Sequence, residues 1–103
     1  MINEFCIAGR KIGANHAPYI IAELSANHNG NVDRALEIMS IMKENGADAA
    51  KIQSYTADTL TIDCDREDFK IRGGLWQGYS LYELYQRAHT PFEWHKSIFE
   101  HGR

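Results

Sequence analysis

An amphipathic helix pattern lies between two short apolar segments in the first half of the chain. Residues 19–24 form a nearly continuous apolar run, which is typical of a parallel strand covered on both faces, and residues 49–55 are predicted as a second short strand. Between them, apolar residues recur at the i, i+3, i+4, i+7 spacing of one helix face. Asn31 is the expected N-cap, and Gly46 is the expected left-handed residue after the helix. The pattern predicts a βαβ unit with a right-handed crossover.

Weaker patterns flank this unit. Residues 4–17 alternate loosely around Gly9-Arg10, which predicts a two-stranded β-hairpin with its turn there. Residues 56–79 form a long polar stretch, and we expect an irregular connection of this length to be a lid or a binding loop.

Two helix starts follow the polar stretch. Ser80 and Glu83 have the spacing of a capping box, which predicts a helix beginning after Ser80. Thr90 is the expected N-cap of a further helix, with Pro91 in its first position, and this helix is predicted to run toward Arg103.

Composition excludes several classes of protein. The chain has 103 residues, 44% hydrophobic and 24% charged, as expected for at most one soluble domain. Its net charge of −3 argues against nucleic acid as a partner, and no apolar run is long enough to span a membrane. The N-terminus has no signal-peptide pattern, and Cys6 and Cys64 match neither a disulfide framework nor a metal motif. We therefore expect a reduced, cytoplasmic protein.

The predicted strands are too few for an independent sheet. Two parallel strands and a hairpin do not make a stable sheet, since parallel sheets need helices on both faces and further strands. We interpret residues 1–103 as the opening, incomplete portion of an α/β protein, most simply of a (β/α)₈ TIM barrel, which needs about 250 residues.

Charged and polar side chains interrupt the two predicted strands. Glu23 ends the first strand, and Lys51 and Gln53 lie on one face of the second. Neighbouring strands are about 4.8 Å apart, and the carboxyl ends of barrel strands carry active sites. These residues therefore form either a functional site or a structural Glu23–Lys51 ion pair, and the residues alone leave both interpretations open.

His28 lies in the turn that follows the first strand. It is a candidate ligand or acid–base group, because the pKa of histidine lies near neutrality. The alternative is a structural turn whose side chains cap the following helix. The five histidines contain no HExxH and no i, i+4 pair, so no metal site is predicted within the chain.

Several segments of the chain resemble the sialic acid synthase family. The general family motifs are residues 21–30 (IAELSANHNG) and 46–55 (GADAAKIQSY). Other segments resemble the pseudaminic acid synthase branch more specifically. These are residues 59–69 (TLTIDCDREDF), 73–76 (GGLW), 79–85 (YSLYELY) and 90–95 (TPFEWH). The resemblance extends from about residue 17 to the end of the chain.

The resemblance implies a transferase of carbohydrate biosynthesis. Such enzymes have a β-hairpin, a (β/α)₈ barrel and a small C-terminal domain. They condense phosphoenolpyruvate with an open-chain N-acetylated amino sugar, giving a nonulosonic acid and phosphate. A divalent metal, Mn²⁺ or Mg²⁺, polarises the aldehyde. A homo-oligomer, a homodimer for the full-length enzyme, is also implied, whereas nucleic acid and membrane partners are not.

The resemblance also assigns roles to residues. Glu23 matches the acidic residue near the metal and the attacking water, Lys51 the lysine that holds phosphoenolpyruvate, and Gln53 a contact to the sugar. His28 matches a family position assigned here to substrate binding. The resemblance places the metal-binding histidines of the family beyond Arg103. The 103 residues alone are therefore expected to be inactive. N-acetylneuraminate or legionaminic acid synthase, and a truncated non-catalytic protein, are the alternatives.

Overall fold

Two small sheets and four helices make up the computed structural model, which describes residues 3–103. Residues 1–2 of the segment interpreted as the start of a barrel lie outside the described residues. In chain order the elements are β1 (Glu4–Ile7), β2 (Arg10–Gly13), β3 (Ile21–Glu23), α1 (Val32–Glu44), β4 (Ala49–Lys51), α2 (Ala57–Leu60), α3 (Leu81–Ala88) and α4 (His95–Gly102). Two 3₁₀ turns, Glu67–Phe69 and Phe92–Trp94, lie between the later helices.

The central βαβ unit forms, but its strands are shorter than the predicted segments 19–24 and 49–55. Strands β3 and β4 pair in parallel, and α1 connects them. The Asn31 side chain accepts a hydrogen bond from the Arg34 N–H at 3.1 Å, which satisfies one of the free donors at the start of α1. Gly46 follows the end of α1 with φ +93°, a conformation that disfavours residues with a Cβ.

The hairpin also forms, but its turn lies one residue earlier than predicted. Ile7 pairs with Arg10, so the loop consists of Ala8 and Gly9, with φ +48° and +82°. Two positive φ values match the primed turns that suit the twist of paired strands. Arg10 belongs to β2 instead of the turn.

A salt bridge ties the hairpin to the βαβ unit. The Arg10 guanidinium contacts the Asp48 carboxylate just before β4, and it also donates to the Pro18 carbonyl at 3.0 Å. Asp48 accepts a second hydrogen bond from the Ile20 N–H at 2.8 Å. The hydrogen bond from the Ile20 N–H is the main reason why the pKa of the Asp48 carboxyl is lowered, and the contact with Arg10 lowers it as well.

The stretch 56–79 is more regular than predicted. It contains α2, which the Thr56–Thr59 capping box begins, and the 3₁₀ turn Glu67–Phe69. The Tyr82 hydroxyl of α3 donates to Asp58 of α2 at 3.1 Å. The prediction of an irregular loop was therefore wrong for these two parts, because a four-residue helix leaves no periodic pattern to detect.

The last helix begins differently from the prediction. The Ser80–Glu83 capping box of α3 is present, whereas α4 follows a 3₁₀ turn whose N-cap is Pro91. Thr90 is fully buried, and its Oγ1 has no hydrogen-bond partner among the residues described. Thr90 therefore does not act as the N-cap, and its N–H instead donates to the Gln53 carbonyl at 2.8 Å.

The core is small and lies between the helices and one face of the parallel pair. Its buried apolar residues are Leu24, Ala35, Met39, Ala57, Ala88 and Ile98. On the opposite face of the strands, Ile21 is 55% exposed, and Glu23 and Lys51 are also exposed. No helix within residues 3–103 combines the length and apolarity needed to cross a membrane.

Candidate functional site

Glu23 and Lys51 lie side by side at the carboxyl ends of the two parallel strands. They are direct partners in the register of β3 and β4, and Lys51 Nζ lies 3.1 Å from Glu23 Oε1. Their side chains remain 56% and 52% exposed, respectively. An ion pair this exposed contributes only about 0–1 kcal/mol to stability. In the described residues the pair is therefore open to solvent and contributes little to stability.

Gln53 follows two residues after Lys51, and its backbone is held in place. Its carbonyl accepts the hydrogen bond from the buried Thr90, while the residue itself is exposed. The structure thus places three predicted site residues, Glu23, Lys51 and Gln53, at the ends of adjacent strands.

The loop after Glu23 has a tightly specified backbone. Ser25 and Asn29 have φ +51° and +50°, in the left-handed region that costs a non-glycine residue about 1–2 kcal/mol. The Asn27 N–H donates to the Leu24 carbonyl at 3.1 Å, and Arg34 Nε donates to the Asn27 carbonyl at 2.7 Å. Strained backbone next to a candidate catalytic carboxylate is a common feature of functional sites.

His28 is fully buried, and both ring nitrogens have protein partners. Nδ1 accepts a hydrogen bond from the Gly30 N–H at 2.9 Å, so Nε2 carries the proton and donates to the Ala88 carbonyl at 3.2 Å. The ring packs edge-on against Trp94, with 5.0 Å between centroids. Burial lowers the pKa of His28. In this arrangement His28 fixes the loop to α3, and its role in substrate binding stays a prediction.

Sequence reasoning missed a set of contacts around Ser54 and Tyr55. Ser54 Oγ and His95 Nε2 share a hydrogen bond. The Tyr55 ring packs edge-on against Tyr85, with 5.7 Å between centroids, and lies 6.0 Å from the ring of His89. Burial raises the pKa of the Tyr55 hydroxyl. These partners are 30 or more positions apart, and no short motif links them.

The divalent metal implied by the resemblance finds no complete ligand set in the part of the chain that the structure describes. Residues 3–103 contain no group of three or more His, Cys, Asp or Glu side chains placed to hold a metal ion. Glu23 alone supplies a carboxylate beside Lys51. These residues do not fit a metal by themselves, and we derive no chemical step through one.

Comparison with known proteins agrees with the motifs. Residues 38–103 match the NeuB family. A pseudaminic acid synthase from Campylobacter jejuni is 58% identical over 82 residues, which is 80% of this chain and 24% of the relative. One from Helicobacter pylori is 49% identical over 86 residues, 84% of this chain and 25% of the relative.

A further relative matches a shorter part of the chain. An N,N′-diacetyllegionaminic acid synthase from Legionella pneumophila is 48% identical over 48 residues, 47% of this chain and 14% of the relative. The chain spans about a quarter of the length of the pseudaminic acid synthases it matches. Because the family match covers more than half of its residues, this chain belongs to the NeuB family.

Proposed function

We propose that the protein carrying this chain is a pseudaminic acid synthase. The observation that carries the proposal is the extent of the match to synthases of that name, with 49–58% identity over 80–84% of the chain. An alignment this long necessarily includes the polar stretch 56–79, where the motifs of that branch occur.

In the proposed reaction, phosphoenolpyruvate condenses with the open-chain aldehyde of an N-acetylated amino sugar. The methylene carbon of phosphoenolpyruvate forms a bond to the aldehyde carbon, whose oxygen becomes a hydroxyl. Water then adds to the resulting oxocarbenium carbon, and phosphate leaves by cleavage of the C–O bond. The products are a nonulosonic acid and inorganic phosphate.

The candidate site supplies suitable groups for this chemistry. Lys51 offers a cation to the carboxylate and phosphate of phosphoenolpyruvate, since an ammonium is a common ligand of both. Glu23, 3.1 Å from Lys51, has the role that the resemblance implies, an acid–base group for the attacking water. Gln53 is exposed two residues beyond Lys51 and offers an amide to the sugar, as the resemblance implies.

We further propose the family architecture for the whole protein. A hairpin followed by a βαβ unit is the start expected of a (β/α)₈ barrel, in which Glu23 and Lys51 face the interior at the carboxyl ends of the strands. The proposal includes a divalent metal held by residues outside this chain, a homodimer and a cytoplasmic location. Neither nucleic acid nor a membrane is a proposed partner.

The test uses the longest available form of the protein. Phosphate release from phosphoenolpyruvate is measured with Mn²⁺ or Mg²⁺ and a series of N-acetylated amino sugars that differ in stereochemistry and in the number of acetamido groups. Mass spectrometry of the product should give the mass of sugar plus phosphoenolpyruvate plus water minus phosphoric acid. Phosphate release that does not depend on any sugar contradicts the proposal.

The second candidate is a legionaminic or N-acetylneuraminate synthase. It is favoured by the 48% identity to the legionaminic acid synthase and by the 46% identity over 50 residues to N-acetylneuraminate-9-phosphate synthase from Homo sapiens. Both matches cover less than half of the chain, which is why we rank this candidate second. The sugar accepted in the same assay separates the two.

A further inference from the structure

We infer that His95 is a positioning residue, which acts through Ser54 to hold the segment carrying Gln53 at the candidate site. The inference rests on the proposed function, because it concerns the residue expected to contact the sugar. It arises from the contacts of three consecutive residues, Gln53, Ser54 and Tyr55, with the segment from α3 to α4.

Each of these three residues is held by a different kind of contact. The Gln53 carbonyl accepts the 2.8 Å hydrogen bond from the buried Thr90. The Ser54 hydroxyl forms a hydrogen bond with Nε2 of His95, the first residue of α4. Tyr55 packs against Tyr85 of α3. Regular β4 pairing ends at Lys51, so these contacts replace the sheet in fixing the backbone beyond it.

The His95 ring also contacts two neighbouring aromatic side chains. It is half-buried, and it packs edge-on against Phe92 and Phe99, with 5.6 and 5.9 Å between centroids. These contacts orient the ring toward its own helix segment while Nε2 bonds to Ser54. The Ser54–His95 bond is therefore suited to setting the direction in which the neighbouring Gln53 leaves the strand.

The chain contains a matched pair in a different place. His101 Nε2, also on α4, shares a hydrogen bond with Ser40 Oγ of α1 at 2.8 Å. The two pairs have the same chemistry and use the same helix, but Ser40 lies on α1 and not on the segment after β4. Substitutions at His101 therefore control for general effects on α4.

The kinetic test compares His95→Phe, His95→Gln and Ser54→Ala with His101→Phe in the longest available form of the protein. Loss of the bond in His95→Phe and Ser54→Ala should raise KM for the amino sugar about three- to tenfold, while kcat and KM for phosphoenolpyruvate stay within about twofold. His95→Gln, which retains a polar side chain, should recover part of this loss. His101→Phe should leave all three parameters unchanged.

A second measurement does not require activity. Hydrogen exchange of the Thr90 amide reports whether the Gln53 carbonyl stays in place, since these two groups are bonded. We expect exchange to be faster in His95→Phe and Ser54→Ala and unchanged in His101→Phe. Ser54→Ala removes a single oxygen atom and keeps the test valid if His95→Phe does not fold.

The two proposals fail in different ways. A wild-type protein that turns over no sugar contradicts the proposed function, and the Thr90 exchange rates then decide the positioning role alone. An active wild type whose sugar KM and Thr90 exchange are the same in Ser54→Ala overturns the positioning role. Equal effects of His95→Phe and His101→Phe on KM overturn it as well.

Discussion

At the scale of single residues, Glu23 and Lys51 form an ion pair that adds little to stability. In the described residues both side chains are more than half exposed, and exposed ion pairs contribute little. Their contact at 3.1 Å follows from the parallel register, which makes them direct neighbours. The geometry of the pair thus comes from backbone pairing, and its role in chemistry stays a prediction.

Substitution of these two residues should separate binding from catalysis in the longest available form of the protein. Lys51→Ala should raise KM for phosphoenolpyruvate about 10- to 100-fold, because a cation facing two anionic groups is lost. Glu23→Gln should mainly lower kcat, by about 10²- to 10⁴-fold, because the amide cannot transfer a proton. Both predictions are tested by steady-state kinetics in which each substrate is varied in turn. Lys43→Ala on α1 is the control. Wild-type kinetics in both variants would remove these residues from the site.

His28 should make the fold sensitive to mild acid. Its pKa is lowered by burial, so the unfolded chain binds a proton more readily than the folded one. The stability contributed by neutral His28 is present above the unfolded pKa of about 6.5 and is lost as the pH falls through the lower folded pKa. In urea unfolding of the longest available form of the protein, lowering the pH from 7.5 to 5 should reduce the free energy of unfolding more for the wild type than for His28→Asn. An equal loss in both proteins would contradict this.

Sequence reasoning singled out the exposed candidate residues but not the buried contacts around them. Glu23 and Lys51 stood out because charges are rare in apolar strands. The burial of His28 depends on Ala88 and Trp94, which lie 60 or more positions away, and no local pattern carries that information. The Ser54–His95 bond was missed for the same reason.

At the scale of elements, local capping signals were the most reliable guides. The Asn31 cap and the Ser80–Glu83 box both form, because each depends on residues within one helical turn. The Thr90 cap does not form, because α4 is preceded by a 3₁₀ turn whose N-cap is Pro91, and Thr90 Oγ1 has no hydrogen-bond partner among the described residues. The N–H of Thr90 makes a tertiary hydrogen bond to Gln53, which no local rule predicts.

The tie between the hairpin and the βαβ unit should be measurable by mutation. Asp48→Ala and Arg10→Ala should each destabilise the protein, because Asp48 also accepts from the Ile20 N–H and Arg10 also donates to the Pro18 carbonyl. The double variant should be less destabilised than the sum of the two, since they share one salt bridge. Urea unfolding of the longest available form of the protein measures this. Lys11→Ala is the control, and it should have little effect because the Lys11–Glu4 contact is exposed and 3.8 Å long.

The same tie should weaken in acid. The folded pKa of Asp48 is lowered, so its contribution is present above the unfolded pKa of about 3.9 and is lost as the pH falls through the folded value. The difference in unfolding free energy between wild type and Asp48→Ala should therefore shrink below about pH 4. A difference that is constant from pH 7 to pH 3 would contradict the assignment.

At the scale of the whole molecule, the 103 residues are more extended than a self-sufficient domain. The radius of gyration is 17.1 Å, whereas a compact domain of about 100 residues has a radius of about 13 Å. Large apolar side chains such as Ile21, Leu75 and Phe99 are 55%, 89% and 58% exposed. A groove of about 510 Å³, lined by residues including Met42, also lies between α1, β4 and α4.

These features predict how the 103-residue polypeptide behaves by itself. Two-stranded sheets leave backbone N–H and C=O groups unpaired at their edges, and such edges bind other chains. Ordering each residue costs about 1–2 kcal/mol, which the few buried side chains do not readily offset. We expect the isolated polypeptide to self-associate or to be only partly ordered, and to show no synthase activity. Light scattering and thermal unfolding test this, and a monodisperse monomer with a sharp, cooperative transition and measurable turnover would show that these 103 residues form a complete enzyme.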